Sequence, residues 1–256
     1  MRLTVVGCAG SIPRPDAAAS CYLVTEGDVV LVLDLGSGAL GPLAAAINPV
    51  DVSAVFISHL HPDHWADLTA LCVLLRHGPV RRPPLPVYGP SGLAQRVAAA
   101  HSGDHTTDLS DVFTFTALRP GVDVEVGGVR VLPAEVAHPA PAFGFRVQAQ
   151  DRVLTYSGDS DECEALVALA RGSHLALLEA SFIDPAPGEP ALPPGLHMTG
   201  SMAGRVARRA GVGSLMLTHT VHWNAVAGGH DRELTAAASQ FAGPLSLAAP
   251  GLAVEV

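Results

Sequence analysis

Between residues 56 and 68 the chain reads Phe56-Ile57-Ser58-His59-Leu60-His61-Pro62-Asp63-His64-Trp65-Ala66-Asp67-Leu68. Three histidines and an aspartate thus fall within six residues. Ligand side chains at this density have little structural use and good affinity for divalent metals. Alternation along an extended segment turns His59 and His61 the same way. Pro62 has its φ already fixed and suits a turn. Asp63 and His64 then open a helix, where backbone amides favour an anion. The arrangement suits two neighbouring ions, one on His59 and His61, the other on Asp63 and His64. Imidazole and carboxylate donors suit zinc best, with manganese or iron as alternatives.

Such a turn needs a strand before it and a helix after it. Residues 53–57 read as a short buried strand. Leu68, Leu71, Cys72 and Leu75 recur at helical spacing, which predicts one helix from about Asp63 to Leu75. Upstream, residues 2–7, 20–25 and 28–35 read as strands, and a helix follows over about 41–47. The loop Gly7-Cys8-Ala9-Gly10-Ser11-Ile12-Pro13-Arg14-Pro15 either brings backbone amides to a phosphate or is a plain connection. Asp34 either supports the metal ligands from behind or makes an Asx turn. Downstream come a strand at 85–88 and a helix at 91–100 with Ser91 as its N-cap. His101 and His105, in the next loop, line a cleft or sit on the surface; His222 and His230 pose the same question. From 112 to 147 the period becomes two, with hairpins expected at Gly121 and at Gly127-Gly128. Strands at 143–148, 153–156, 174–179 and 214–218 then alternate with helices at 162–170 and 201–210. A helix near 231–239 and two short strands complete the chain. Strands first and strand–helix alternation after, twice over, is the pattern of two packed α/β halves.

Composition narrows the classes. The length of 256 residues, 48% apolar, fits one domain over 1–256. No apolar run reaches the roughly 18 residues of a membrane span. The start Met1-Arg2-Leu3-Thr4-Val5-Val6-Gly7 reads as a strand and not as a signal peptide, so a cytoplasmic location is expected. Cys8, Cys21, Cys72 and Cys163 are scattered and expected to be free thiols. A net charge of −9 disfavours broad capture of nucleic acid. The chain has no lysine, which excludes a Walker-type phosphate loop, a pyridoxal Schiff base and a lysine nucleophile.

Ser58-His59-Leu60-His61-Pro62-Asp63-His64 is similar to the His-x-His-x-Asp-His signature of the metallo-β-lactamase fold superfamily. The resemblance implies an αββα four-layer sandwich, two mixed sheets face to face with helices outside. It also implies three further ligands, and His138, Asp159 and His219 each lie where a strand is expected to end. His138 would join His59 and His61 on the first metal. Asp159, in Ser157-Gly158-Asp159-Ser160, would bridge both. His219, in Leu217-Thr218-His219, would complete the second with Asp63 and His64.

Within the superfamily the chain resembles the ribonuclease Z-like branch over nearly its whole length. Leu3-Thr4-Val5-Val6-Gly7-Cys8-Ala9-Gly10-Ser11-Ile12-Pro13 is similar to that branch's opening strand and glycine loop. Leu177-Leu178-Glu179-Ala180-Ser181-Phe182 resembles its "HEAT" block, with Leu178 where a histidine is usual, which is expected to remove a polar group near the site. His197-Met198-Thr199-Gly200-Ser201 resembles its histidine–serine–threonine loop, with Met198 in the serine position. The resemblance implies that Glu179 and His197 form a proton-handling pair beside the metals.

One departure bears on substrate. Only 20 residues lie between His138 and Asp159, where ribonuclease Z enzymes usually carry a long basic arm for transfer RNA. With the negative net charge, this disfavours long nucleic acid as a partner and makes a small phosphodiester or cyclic phosphate the expected substrate. Two divalent ions would activate water for attack on phosphorus, with Asp63 orienting it. His197, held by Glu179, would protonate the leaving oxygen. The rival readings are a lactone, ester or thioester hydrolase on the same site, a ribonuclease Z-like RNA nuclease, and a metal-binding interaction domain without turnover. A carboxylate at the His61 position, as in the diiron oxygen reductases of this fold, is absent. The 37 residues after His219 are too few for the helical domain of glyoxalase-II-like thioesterases. No membrane partner is expected, and a homodimer is compatible with the chain.

Overall fold

A computed structural model describes residues 1–223 and 228–256. The described chain runs β1 (Arg2–Gly10), β2 (Ala18–Ala19), β3 (Cys21–Glu26), β4 (Val29–Leu33), α1 (Leu40–Ala46), β5 (Ala54–Phe56), α2 (Pro62–Trp65), α3 (Leu68–His77), β6 (Leu85–Gly89), α4 (Leu93–Ser102), β7 (Phe113–Ala117), β8 (Val124–Val126), β9 (Val129–Glu135), β10 (Phe143–Ala149), β11 (Arg152–Tyr156), α5 (Glu164–Ala170), β12 (Leu175–Glu179), α6 (Gly200–Ala210), β13 (Ser214–Thr218), β14 (Thr220–Val221), α7 (Gly229–Ala238), β15 (Leu245–Leu247) and β16 (Ala253–Glu255). One sheet has the order β14-β1-β3-β4-β5-β6-β7, with β2 and β16 also on β1. The other has the order β15-β13-β12-β11-β10-β9-β8.

Alternation along the strands builds the layers. Tyr22 and Val24 of β3 face the second sheet, where they join Phe56, Phe145, Tyr156, Leu177 and Met216 in one core. Their neighbours Cys21 and Leu23 face outward, against Leu43 of α1, Leu71 and Cys72 of α3 and Val97 of α4. On the far side, Leu178 and Leu217 pack outward on Leu166 of α5, Ala203 and Val206 of α6 and Ala237 of α7. Strands covered on both faces are apolar, as β4 is throughout and β12 is up to Glu179. The result is the expected αββα sandwich. Aromatic contacts tie the inner faces together, with Tyr22–Tyr156 ring centroids at 4.9 Å and Phe56–Phe145 at 5.8 Å. Truncating such a ring to alanine costs about 3–5 kcal/mol.

The strands β4, β5, β6 and β7 are mutually parallel, as are β11, β12, β13 and β15. Loops at the carboxyl ends of parallel strands are where α/β folds place their sites. The His59–His64 turn follows β5, Asp159 follows β11, Glu179 ends β12 and His219 follows β13. All of them therefore collect at one end of the sandwich.

Local differences from the sequence reading have identifiable causes. The helix expected over 63–75 is two helices, because Asp67 turns its backbone and carboxylate elsewhere. Its N–H donates to Leu35 O, and its carboxylate accepts from the amides of Gly38 and Leu40. Ser91 is not an N-cap: Gly92, at φ 92°, takes that place and α4 starts at Leu93. Gly121 makes no hairpin, since β7 and β8 belong to different sheets and the turn there carries the chain across. Gly127 and Gly128, at φ 56° and 87°, do turn the β8–β9 hairpin. All four cysteines are free thiols. Among the described residues no helix is long and apolar enough to cross a membrane.

Candidate metal centre

Three overlapping groups of ligand atoms form at the carboxyl ends of the strands. His59, His61, His138 and Asp159 make one, Asp63, His64 and His219 a second, and Asp159, His197 and His219 a third, with the atoms of each within 4.8 Å of one another. Asp159 stands between the first two. Its carboxylate lies 3.6 Å from His59 Nε2, 3.2 Å from His64 Nε2 and 3.3 Å from His219 Nε2. His138 lies three residues beyond β9 and is held by an Ala137–Asp161 bridge, with its Nε2 3.4 Å from His61 Nδ1. All seven residues expected as ligands are thus brought together.

The far nitrogens of the rings are engaged, which settles where the inner nitrogens stand. His64 Nδ1 donates to Asp34 Oδ2 at 2.7 Å, and His138 Nδ1 donates to the carbonyl of Leu196 at 2.9 Å. Both partners are acceptors, so in the neutral ring each Nε2 turns a lone pair into the cluster. Burial would lower His64, but the charges of Asp159, Asp34 and Asp63 raise it well above the usual histidine range, so a cation binding there must displace its Nε2 proton. His219 Nδ1 meets Ser181 Oγ at 2.8 Å, and His59 Nδ1 meets Ser58 Oγ at 3.1 Å. His64 Nε2 and His219 Nε2 face each other at 3.1 Å. His59 Nε2 and Asp159 Oδ1 are fully buried and have no hydrogen-bond partner among the described residues. Buried lone pairs left unmatched are costly. Here they converge from imidazoles and carboxylates, and the residues present fit a divalent cation. Burial pushes His59 well below the usual histidine range and lowers His61 as well, which keeps both as neutral ligands. Burial alone would raise Asp159, but His219, His64 and His59 outweigh it and hold the carboxyl well below its ordinary range.

Asp34 answers the choice left open by the sequence. It is fully buried at φ 58° and accepts from Ser58 N at 2.7 Å, Ser58 Oγ at 2.8 Å and Tyr156 OH at 2.7 Å, besides His64. It orients ligands from behind. The glycine loop has a similar use: Ser11 N donates to Asp63 Oδ2 at 2.8 Å. Ser11 and His219 also have positive φ, 62° and 55°. Strained backbone of this kind persists where surrounding structure holds it, commonly at sites. Two glycines allow the close approach. A Cβ on Gly10 would stand 2.5 Å from His219 O, and one on Gly36 would stand 1.8 Å from Asp63 O.

Glu179 and His197 meet as expected, with Oε1 2.9 Å from Nδ1. Glu179 also accepts from Ser160 N at 2.7 Å and from Ser181 Oγ at 2.7 Å. Burial would lower His197, but the charge and hydrogen bond of Glu179 raise it to about 9. The ring of Phe182 packs edge-on against it at 5.2 Å. Leu178 faces the outer helices, so the leucine removes nothing from the centre, contrary to the sequence expectation. Met198 is likewise buried in that outer cluster. His101 and His105 lie at and beyond the C-terminus of α4, which runs back from the site end, and do not line the cleft. His230 Nε2 is 3.1 Å from Thr220 Oγ1, and His222 follows β14 at the site end. Sequence reasoning missed Ser58, Tyr156 and Ser181. The one local signal was a tyrosine directly before Ser157-Gly158-Asp159 on an otherwise apolar strand.

Comparison with known proteins agrees with this geometry. Residues 31–220 match the family described as the beta-lactamase superfamily domain. An uncharacterized protein of Mycobacterium leprae is 38% identical, covering 98% of this chain and 87% of its own. A ribonuclease Z of Mycobacterium bovis is 30% identical over 96% of this chain and 95% of that protein. The crystal structure of the metallo-beta-lactamase fold protein YhfI from Bacillus subtilis superimposes with a TM-score of 0.87 at 28% identity, covering 100% of this chain and 99% of that one. The chain belongs to the metallo-β-lactamase fold superfamily, as a metallo-hydrolase of its ribonuclease Z-like branch.

Proposed function

We propose that the protein is a phosphodiesterase acting on a small phosphodiester or cyclic phosphate with two divalent ions, zinc the best suited. The observation that carries this is Asp159 standing between the first two ligand groups with the Glu179–His197 pair beside it. His59, His61, His138 and Asp159 would hold one ion, and Asp63, His64, His219 and the shared Asp159 the other. When bound, such ions supply a water acidified toward neutral pH and neutralise charge on phosphoryl oxygens.

The chain's own residues do the rest. Asp63, fixed by the Ser11 amide, orients the attacking water as well as binding metal. His197, raised to about 9, carries its proton at neutral pH, and with Nδ1 on Glu179 it has Nε2–H to give to the leaving oxygen. His61 is exposed, and His138 and His197 are partly so, which makes their side the approach for substrate. A small substrate is supported by the segment between His138 and Asp159. β10 and β11 take up most of it and are joined by Gln150 and Asp151 alone, and the four residues before β10 are too few for an arm. A cytoplasmic location and one domain over 1–256 belong to the same proposal.

A substrate panel tests it on the zinc- or manganese-loaded protein. Bis(p-nitrophenyl) phosphate and cyclic nucleotides should be hydrolysed, and lactones, thioesters and precursor transfer RNA should not. Turnover of lactones or thioesters alone would sink the proposal. No turnover with two ions bound would leave an interaction domain.

A further inference from the structure

The proton donor and the group that orients a metal ligand sit side by side on irregular chain. Between β12 and α6, residues 180–199 contain no helix or strand, apart from a single Phe182–Thr199 bridge. Within them, residues 185–194 are exposed except for Leu192. A loop of this length has no ladder of its own, so its groups stand only as firmly as the contacts that pin it. Yet Leu196 O accepts from His138 Nδ1 at 2.9 Å, and His197 Nδ1 stands 2.9 Å from Glu179 Oε1.

Downstream of this pair the pins are Phe182 N, which donates to Met198 O at 3.0 Å, and Thr199, which caps α6. Upstream the pin is Asp161. Its Oδ2 accepts from Gly195 N at 2.7 Å, where Gly195 turns the chain at φ 70°. Its Oδ1 accepts from Glu162 N at 2.7 Å. The main chain of Asp161 has a second use, since its N–H donates to Ala137 O at 2.8 Å in the bridge that sets down His138. His138 is thus held twice from one residue, its backbone through Ala137 and its ring through Gly195 and Leu196. The same short segment carries Asp159 and Ser160, whose N–H holds Glu179 Oε1 at 2.7 Å. Asp161 itself belongs to none of the three ligand groups.

We propose that Asp161 is a positioning residue whose carboxylate fixes the 195–197 loop and so places His138 and His197 together. The His138 part rests on the ligand set alone. The His197 part rests on the phosphodiesterase reading above.

Asp161→Ala removes the carboxylate and leaves the main-chain bond to Ala137. Stepwise removal of zinc by a chelator, from loaded parent and variant, should show one ion held roughly 10–100-fold more weakly, the scale for a partner behind a ligand, with the other unchanged. At saturating zinc, turnover should fall further for adenosine 3′,5′-cyclic monophosphate, which leaves as an alkoxide, than for bis(p-nitrophenyl) phosphate. That difference should be about tenfold, within what misplacing a catalytic group costs. Asp161→Asn keeps an oxygen for the Gly195 N–H and should restore most of both losses. Equal weakening of the two ions, no weakening, or a loss that asparagine does not rescue would overturn the assignment. Loss of the fold in Asp161→Ala, seen by circular dichroism, would make the residue structural and overturn it too. If the parent hydrolyses neither diester, the phosphodiesterase reading fails and the His197 part with it, and the zinc titration alone then decides the His138 part.

Discussion

The two sheets contribute to the centre in different ways. The first delivers four ligands from one turn after β5, within six residues of the chain and oriented by local backbone. The second delivers one group per strand, with Asp159 after β11, Glu179 at the end of β12 and His219 after β13. Each of these depends on neighbours far away in sequence. His219, for example, meets Ser181 across 38 positions and Asp63 across 156. A contiguous turn is preorganised by short-range geometry, whereas a set of strand ends is only as well placed as the packing that holds the strands. The first half should therefore keep its shape when disturbed, and the second should carry the larger functional losses.

The largest effect should come from the group shared by both halves. Asp159→Ala is expected to lose bound metal and turnover together, measured by elemental analysis and diester hydrolysis on the same preparation. Retention of two ions would show that the turn suffices alone. Next in size is His197→Ala, which should keep its metal and lose roughly 10²–10⁴-fold in turnover of substrates with alkoxide leaving groups. The loss should shrink for p-nitrophenolate, which needs no proton; a uniform loss on both kinds of substrate would make His197 structural.

Asp34→Ala tests the turn's support. Residues that orient ligands from behind typically change metal affinity by 10–100-fold, and that range is expected here by competition with a chelator. An affinity within twofold of the parent would mean that the turn needs no such support.

The smallest effect lies behind the second half, at Glu233 on α7. Both carboxylate oxygens of Glu233 are buried and have no hydrogen-bond partner among the described residues. Burial raises the carboxyl from 4.5 to about 8, against a lowering influence of Arg14. The unfolded chain releases this proton near the ordinary value while the folded chain keeps it. Stability should thus fall as pH rises between those values and level off above the higher one. Glu233→Gln should remove that slope and gain on the order of 1–2 kcal/mol at pH 9, with little change at pH 4. Parallel denaturation curves for parent and variant across that range would contradict the assignment.

The same contrast explains what could be read from the sequence. His59, His61, Asp63 and His64 were legible because their spacing is itself the site. His138, Asp159 and His219 were legible through resemblance only, since a histidine or aspartate at a strand end carries little information by itself. Tyr156 and Ser181 were not legible. Tyr156 reaches Asp34 across 122 positions, and nothing near it in sequence marks that contact. Leu178 was misjudged for the complementary reason: one step along a strand reverses the face, so Leu177 enters the inner core while Leu178 meets the helices. The break between α2 and α3 was hidden because the apolar spacing of Leu68, Leu71, Cys72 and Leu75 continues through α3 and says nothing about where Asp67 sends its carboxylate.

Asp34 binds Ser58 and His64 on one sheet and Tyr156 on the other. Its carboxylate is thus a spacer gauge between the two layers, set at hydrogen-bond length on both sides. Anything that changes the separation of the sheets must stretch one of these bonds or drag the His64 ring with it. Hydrostatic pressure, or a cavity in the core far from any ligand such as Phe145→Ala would leave, should consequently be felt at the centre as a weaker grip on metal. In this fold, compressibility and the grip on metal are mechanically joined through the Asp34 carboxylate.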